Sequence, residues 1–192
     1  MQQRKIGGMR IRSTTILAVR RDGQVAIGGD GQVTLGDTAI KHGARKIRRI
    51  HNDKVLIGFA GSASDAITLY ENLEKKLEQY RGNLQKSAVE LAREWRSDRV
   101  LRQVDALMIA TDANDSYLIS GSGDVIAPDD DVIAIGSGSS IALAAAKAML
   151  KYSDLTSKEI VSEALQLTSE ICIYTNARIE IDTIKEELTV NS

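Results

Sequence analysis

Hydrophobic positions in this chain alternate between short β-branched runs and long stripes at helical spacing. From Thr15 to Val19 the residues are apolar and largely β-branched, Arg20-Arg21-Asp22-Gly23 reads as a turn, and Gln24 to Ile27 returns as a second strand. Gly28, Gly29, Gly31 and Gly36 then crowd a short polar stretch around Asp30. Lys46 to Ile50 and Val55 to Phe59 predict a hairpin about the turn residues His51-Asn52-Asp53. Two helices follow. Ala63, Ala66, Ile67, Tyr70, Leu73 and Leu77 recur at the spacing of one helical face, and Leu84, Ala88, Leu91, Ala92 and Trp95 repeat it beyond Gly82-Asn83.

The second half of the chain repeats this order. Ala106 to Thr111, Tyr117 to Ser120, Asp124 to Ile126 and Val132 to Ile135 read as strands, and Gly136–Ser140 leads into a helix through Ile141, Ala145 and Met149. Thr156-x-x-Glu159 is a capping box that opens a further helix running towards Cys172. Arg178 to Val190 alternates like a last pair of strands. Hairpin-linked strand groups separated by helix pairs imply an α+β fold with two stacked antiparallel sheets covered by helices, rather than a parallel βαβ sheet. No internal linker is visible, so residues 14–192 read as a single domain preceded by a leader, residues 1–13. The leader carries Arg4, Lys5, Arg10 and Arg12 and no acid, and reads as a basic tail that frays or as a segment removed by processing.

Composition narrows the function. Lys and Arg total 25 against 26 Asp and Glu, a net charge of −1, so the basic excess of a nucleic-acid binder is missing. Aromatic residues are 4% of the chain, which makes the core aliphatic. One cysteine rules out an internal disulfide framework, and no apolar run is long enough for a membrane span. A soluble, cytoplasmic protein is expected.

Several motifs compete for the chemistry. Gly136-Ser137-Gly138-Ser139-Ser140-Ile141 imitates a dinucleotide loop, but Ile141 replaces the third glycine and no acid-tipped strand follows. A tight turn presenting Ser137 or backbone N–H groups at a helix start fits better. Arg45-Lys46-Ile47-Arg48-Arg49 is the densest basic run; strand alternation would put Lys46 and Arg48 on one face. It reads as a solvated edge, as a phosphate patch, or as a strand with one inward lysine. His42 and His51 fall in charged loops, which leaves a serine hydrolase without an evident base, and Cys172 reads as a buried, inert thiol. One nucleophile class needs no histidine: an N-terminal threonine uses its own α-amine as base. Thr14-Thr15 stands at the junction of leader and first strand.

Taken in order, Thr14-Thr15-Ile16, Gly29-Asp30-Gly31-Gln32-Val33-Thr34-Leu35-Gly36, Lys46-Ile47-Arg48-Arg49, Gly58-Phe59-Ala60-Gly61, Gly136-Ser137-Gly138 and Ile171-Cys172-Ile173-Tyr174-Thr175-Asn176 closely resemble the HslV (ClpQ) family of N-terminal-nucleophile threonine peptidases. The resemblance runs from Thr14 to the last strand. It implies a four-layer αββα sandwich, two stacked hexameric rings enclosing the active sites, and activation by HslU-type AAA+ ATPase hexamers that unfold protein substrates. In this alignment Thr14 is the nucleophile, Asp30 and Lys46 are its charged neighbours, Ser137 is the supporting hydroxyl and Gly58 falls at the oxyanion donor. The family's sodium site falls on oxygens of Ser169, Cys172 and Thr175, and no cofactor enters the bond chemistry.

Two features depart from the family pattern. Many members begin at the nucleophile once the initiator Met is removed, whereas thirteen residues precede Thr14 here. Position 169 is serine where glycine is common, a change that a backbone carbonyl ligand survives. A non-catalytic ring subunit with an unprocessed leader is the alternative, against which stands the joint occurrence of Asp30, Lys46 and Ser137 with Thr14.

Overall fold

In the computed structural model, which describes residues 5–6, 9–61, 63–97 and 106–185, two short strands precede those expected from the hydrophobic pattern: β1 (Lys5–Ile6) and β2 (Met9–Ser13). β3 (Thr15–Arg21) and β4 (Gln24–Asp30) then form a hairpin, with Asp22 and Gly23 both at positive φ as a two-residue turn requires. β5 (Val33–Leu35) and β6 (Thr38–Lys41) follow, then β7 (Ile47–Ile50) and β8 (Val55–Gly61), joined through His51, Asn52 and Asp53. Helices α1 (Ala63–Gln79) and α2 (Leu84–Ser97) lead to β9 (Ala106–Thr111), β10 (Ser116–Ser120), β11 (Val125–Ile126) and β12 (Val132–Gly136). The chain closes with α3 (Ser139–Tyr152), α4 (Ser157–Ile171) and β13 (Ile179–Lys185). The capping box at Thr156 and Glu159 is formed in both directions.

Two antiparallel sheets carry the fold, one ordered β12-β3-β4-β13 and the other β11-β10-β9-β8-β7. Period-two alternation along β3 sorts its side chains between two cores. Leu17 and Val19 pack with Ala142 and Ala146 of α3 and Ile160, Val161, Ala164 and Leu165 of α4. Ile16 and Ala18 face the other way, into an aliphatic layer with Ile27, Leu56, Ile109, Ile133 and Ile135 that cements sheet to sheet. On the far side Leu69, Leu73, Leu77, Leu84, Leu91 and Trp95 of α1 and α2 cover Ile57, Met108 and Ile119 of the second sheet. The layers are therefore α, β, β and α, as expected. Among the described residues no helix is long and apolar enough to cross a membrane.

The structure corrects several details of the sequence pattern. On α1 the buried residues are Ala66, Leu69, Leu73 and Leu77, while Ile67 is 47% exposed, so the apolar face is rotated from the predicted stripe. Lys46 and Ile47 are both buried and Arg48 and Arg49 both exposed, so simple alternation fails: Lys46, just before β7, turns its side chain inward onto Asp30. The glycine-rich stretch after Asp30 contains the β5–β6 hairpin, which joins β1 and β2 in a third, smaller sheet. Thus the segment just before Thr14 is a strand, with Ser13 paired to Val33, and not a frayed tail. Of the last strand pair, β13 is present, and residues 186–192 lie outside the described residues.

Leu69→Ala, which removes a side chain only 1% exposed, should destabilise the protein by about 2–5 kcal/mol in urea unfolding. Ile67→Ala should change stability by less than about 1 kcal/mol. Equal losses at the two positions would put the helix face back where the sequence pattern drew it.

Candidate active site

Thr14 is where the chain passes from one sheet to another. Behind it β2 pairs with β5; ahead of it β3 pairs with β4 and β12. The corner gives Thr14 a φ of +88°, a region in which a β-branched residue is strained, and the residue is 2% exposed. Its carbonyl oxygen accepts the Ser137 N–H at 2.9 Å. Gly136, at φ +96°, makes this approach possible, since a Cβ there would overlap the Thr14 carbonyl oxygen. The next N–H, that of Gly138 at the start of α3, donates to Thr15 Oγ1 at 3.0 Å, and the same hydroxyl shares a 2.8 Å hydrogen bond with Thr175 Oγ1.

The register Ile16↔Gly29 brings Asp30, at the end of β4, beside the start of β3. Its carboxylate is fully buried and receives four donors. Oδ1 takes the Thr15 N–H at 2.8 Å and Lys46 Nζ at 3.1 Å, while Oδ2 takes the Gln32 N–H at 2.8 Å and the Asn176 N–H at 3.3 Å. Lys46 Nζ also donates to Gln32 O at 2.6 Å. Burial pulls the Lys46 pKa below its ordinary value, and the attraction and hydrogen bond of Asp30 offset part of that shift. An ammonium, its carboxylate and the residue after Thr14 are thus fastened into one buried group.

The other expected residues are placed as follows. Ser137 is exposed, and it is its backbone N–H that reaches Thr14. Gly58 lies inside the β8 ladder between Ile47 of β7 and Ile109 of β9, and a Cβ on it would come within 2.7 Å of Ile16 Cγ2. Ala60, two residues on, lies nearer the Gly136 turn. Ser169 is in the last turn of α4, Cys172 caps that helix, and the Cys172 carbonyl accepts the Thr175 N–H at 3.0 Å. A helix C-terminus exposes carbonyl oxygens with partial negative charge, which is a donor set suited to a hard monovalent cation. Among the described residues no group of three or more His, Cys, Asp and Glu is placed to hold a metal. His51 sits in the β7–β8 turn against Gly82, and His42 meets the site through its carbonyl oxygen, which accepts from Asn176 Nδ2. The dinucleotide-like turn has its first N–H groups engaged by Thr14 O and Thr15 Oγ1, so they are not free to cradle a phosphate. Two contributors were not singled out in the sequence, Gln32 and Asn176. Their only signal was membership of the Gly29–Gly36 and Ile171–Asn176 motifs, and an amide side chain by itself announces no chemistry.

Comparison with known proteins follows the same lines. A sequence profile described as proteasome subunit matches residues 11–184. The ATP-dependent protease subunit HslV of Aquifex aeolicus is 56% identical over 176 residues, covering 92% of this chain and 100% of the relative. The ATP-dependent protease subunit HslV of Caldanaerobacter subterraneus subsp. tengcongensis is 56% identical over 174 residues, covering 90% of this chain and 99% of the relative. The crystal structure of eukaryotic HslV from Trypanosoma brucei superposes with a TM-score of 0.85 at 41% identity, covering 90% of this chain and 99% of that one.

The geometry of the ion pair predicts an asymmetry. Lys46→Met leaves Asp30 held by three backbone N–H groups, whereas Asp30→Leu leaves a buried ammonium with Gln32 O and strips those N–H groups of their acceptor. Asp30→Leu should therefore cost about 3–5 kcal/mol in urea unfolding, and Lys46→Met clearly less. The Lys46 pKa is lowered, so between its folded value and 10.5 the unfolded chain binds more protons than the folded one. The Lys46 contribution to stability is complete above 10.5 and is lost as pH falls through the folded value. Wild type should gain on Lys46→Met as pH rises through that window; parallel stability curves would show the lysine to be solvated.

Proposed function

This chain belongs to the proteasome subunit family, in its HslV branch, and from that premise we propose a threonine-type endopeptidase that works as the protease subunit of an ATP-dependent complex, with Thr14 as its nucleophile. The observation that carries the assignment of residues is the buried Asp30–Lys46 pair, hydrogen-bonded to the Thr15 N–H next to Thr14. Thr14 Oγ attacks the scissile carbonyl carbon while the Thr14 α-amine takes the hydroxyl proton, directly or through water. The C–N bond breaks, the proton passes to the departing amine, and an ester links substrate to Oγ. Water activated by the same α-amine then hydrolyses the ester. The Lys46 charge stabilises the negative oxygen in the dry site, and a compact ammonium does so where a planar guanidinium would not fit. Ser137 supports the amine, and N–H groups of the Gly58–Gly61 stretch are the proposed oxyanion donors. No cofactor takes part in these steps. Carbonyl oxygens of Ser169, Cys172 and Thr175 would hold a sodium ion that orders the α4–β13 loop.

The amine is a base only after the Ser13–Thr14 bond is cut, so we assign residues 1–13 as a leader removed by the enzyme itself. Oγ attacks the Ser13 carbonyl carbon, the chain shifts from nitrogen to oxygen, and water hydrolyses the resulting ester. The torsion that is strained at Thr14 ceases to exist when this bond is cut, which relieves a cost on the order of 1–3 kcal/mol. As partners we propose other copies of this chain in two stacked hexameric rings and an HslU-type AAA+ ATPase that delivers unfolded proteins in the cytoplasm. The exposed apolar side chains of Tyr152, Leu167, Ile171 and Ile173 on and beyond α3 and α4 support contact between copies.

Expressed from Met1, the protein should give an intact mass that begins at Thr14, and Thr14→Ala should remain full length and inactive. A cleaving enzyme that retains Met1–Ser13 would overturn the mechanism and favour the unprocessed structural subunit. Lys46→Arg should assemble normally yet lose turnover; near-wild-type activity would reduce Lys46 to a surrounding charge. Sedimentation should give a dodecamer whose peptidase activity rises strongly with the ATPase and ATP, and a monomer indifferent to the ATPase would refute the partner assignment.

A further inference from the structure

Asp30 and Lys46 lie on different segments, and the side chain that bridges those segments belongs to neither. Asn176 is half-buried in the loop between α4 and β13. Its Oδ1 accepts the Gly31 N–H at 3.2 Å and the Arg178 N–H at 3.1 Å, while its Nδ2 donates to His42 O at 3.1 Å. Its own backbone N–H donates to Asp30 Oδ2 at 3.3 Å. Gly31 directly follows the carboxylate. His42 begins the stretch that leads to Lys46, and Ala44 N–H closes the same contact on Gly31 O at 2.9 Å. The two N–H groups and one carbonyl fix the orientation of the amide, since a flipped Asn176 would set donor against donor and acceptor against acceptor.

Gln32 fastens the same loop at a second point. It is 7% exposed, and its Nε2 donates to Ile173 O at 2.9 Å and to Thr34 Oγ1 at 3.0 Å, while its backbone carbonyl accepts from Lys46 Nζ. Both fastenings therefore run from the α4–β13 loop to the ion pair, and neither touches Thr14. We infer that Asn176 is a positioning residue for the reaction proposed above: it holds the segment of Asp30 and the segment of Lys46 at the separation that aims the ammonium, with Gln32 as the second anchor. This inference rests on the threonine-peptidase reading.

The test uses the full chain and a fluorogenic peptide, with and without the partner ATPase. Asn176→Ala should lower kcat about 10- to 100-fold, the cost of misplacing a reacting group, with KM within about twofold of the parent. Asn176→Asp keeps the acceptor for Gly31 and Arg178, loses the donor to His42 O, and brings a second carboxylate beside Asp30. Losing that one donor should lower kcat with KM within about twofold of the parent, a split that loosening of the fold alone would not produce. Should Asn176→Ala not fold, the kcat and KM of Asn176→Asp decide. Two variants with kcat within about twofold of the parent, or with a loss confined to KM or to melting temperature, would overturn the inference. A parent chain that cleaves no peptide overturns the peptidase reading itself, which is a separate result from an active parent with indifferent variants.

Discussion

The pairing of Lys46 with Asp30 out of water is the constraint around which the neighbouring structure is organised. Attraction between unit charges at 4 Å is worth about 4 kcal/mol at an effective dielectric near 20, and removing each ion from water costs several kcal/mol. The pair is therefore no net source of stability by itself. It persists because Asp30 takes three backbone N–H groups besides the ammonium, and because Lys46 has a second acceptor in Gln32 O. Those donors come from β3, from the turn after β4 and from the loop before β13. The demand for them ties β3 and the loop before β13 to one carboxylate.

β3 links this polar group to the apolar layers. Its alternating side chains fill both the sheet-to-sheet core and the core beneath α3 and α4, so its position along the strand direction is fixed by packing on two faces. Register then carries that precision to its end: Gly136 of β12 pairs with Thr15, and the turn beyond it sets the Ser137 N–H on Thr14 O. A glycine is required there because the Thr14 carbonyl fills the space of a side chain. The start of α3 is thereby docked on the threonine pair and not on a diffusible anion.

The change of sheet at Thr14 joins local strain to chemistry. One segment enters along β5 and leaves along β4 and β12, so the corner residue adopts a backbone that favours glycine, yet the proposed reaction needs a hydroxyl. The strain is supported by pairing on both sides of the corner, and the proposed cut before Thr14 would remove it.

The sequence by itself determined the layer order, the strand and helix elements of both cores, the Thr156 capping box and the motif residues Thr14, Asp30 and Lys46. The elements are legible because period-two and helical repeats, turn residues and caps act between near neighbours in the chain, whereas Thr14, Asp30 and Lys46 stood out only through the resemblance of their motifs to the family. It did not determine which face of α1 is buried, that the glycine-rich stretch after Asp30 pairs with the strand before Thr14, or that Lys46 turns inward beside Ile47. Nor did it determine the bridging parts of Gln32 and Asn176. Tertiary structure decided these, because each depends on partners far along the chain: Asn176 reaches Gly31 and His42 only after α4 packs on the sheet and β13 pairs with β4. An amide, a lysine or a glycine carries no local periodic signal of its partner, and burial against a remote segment is what gives each its place.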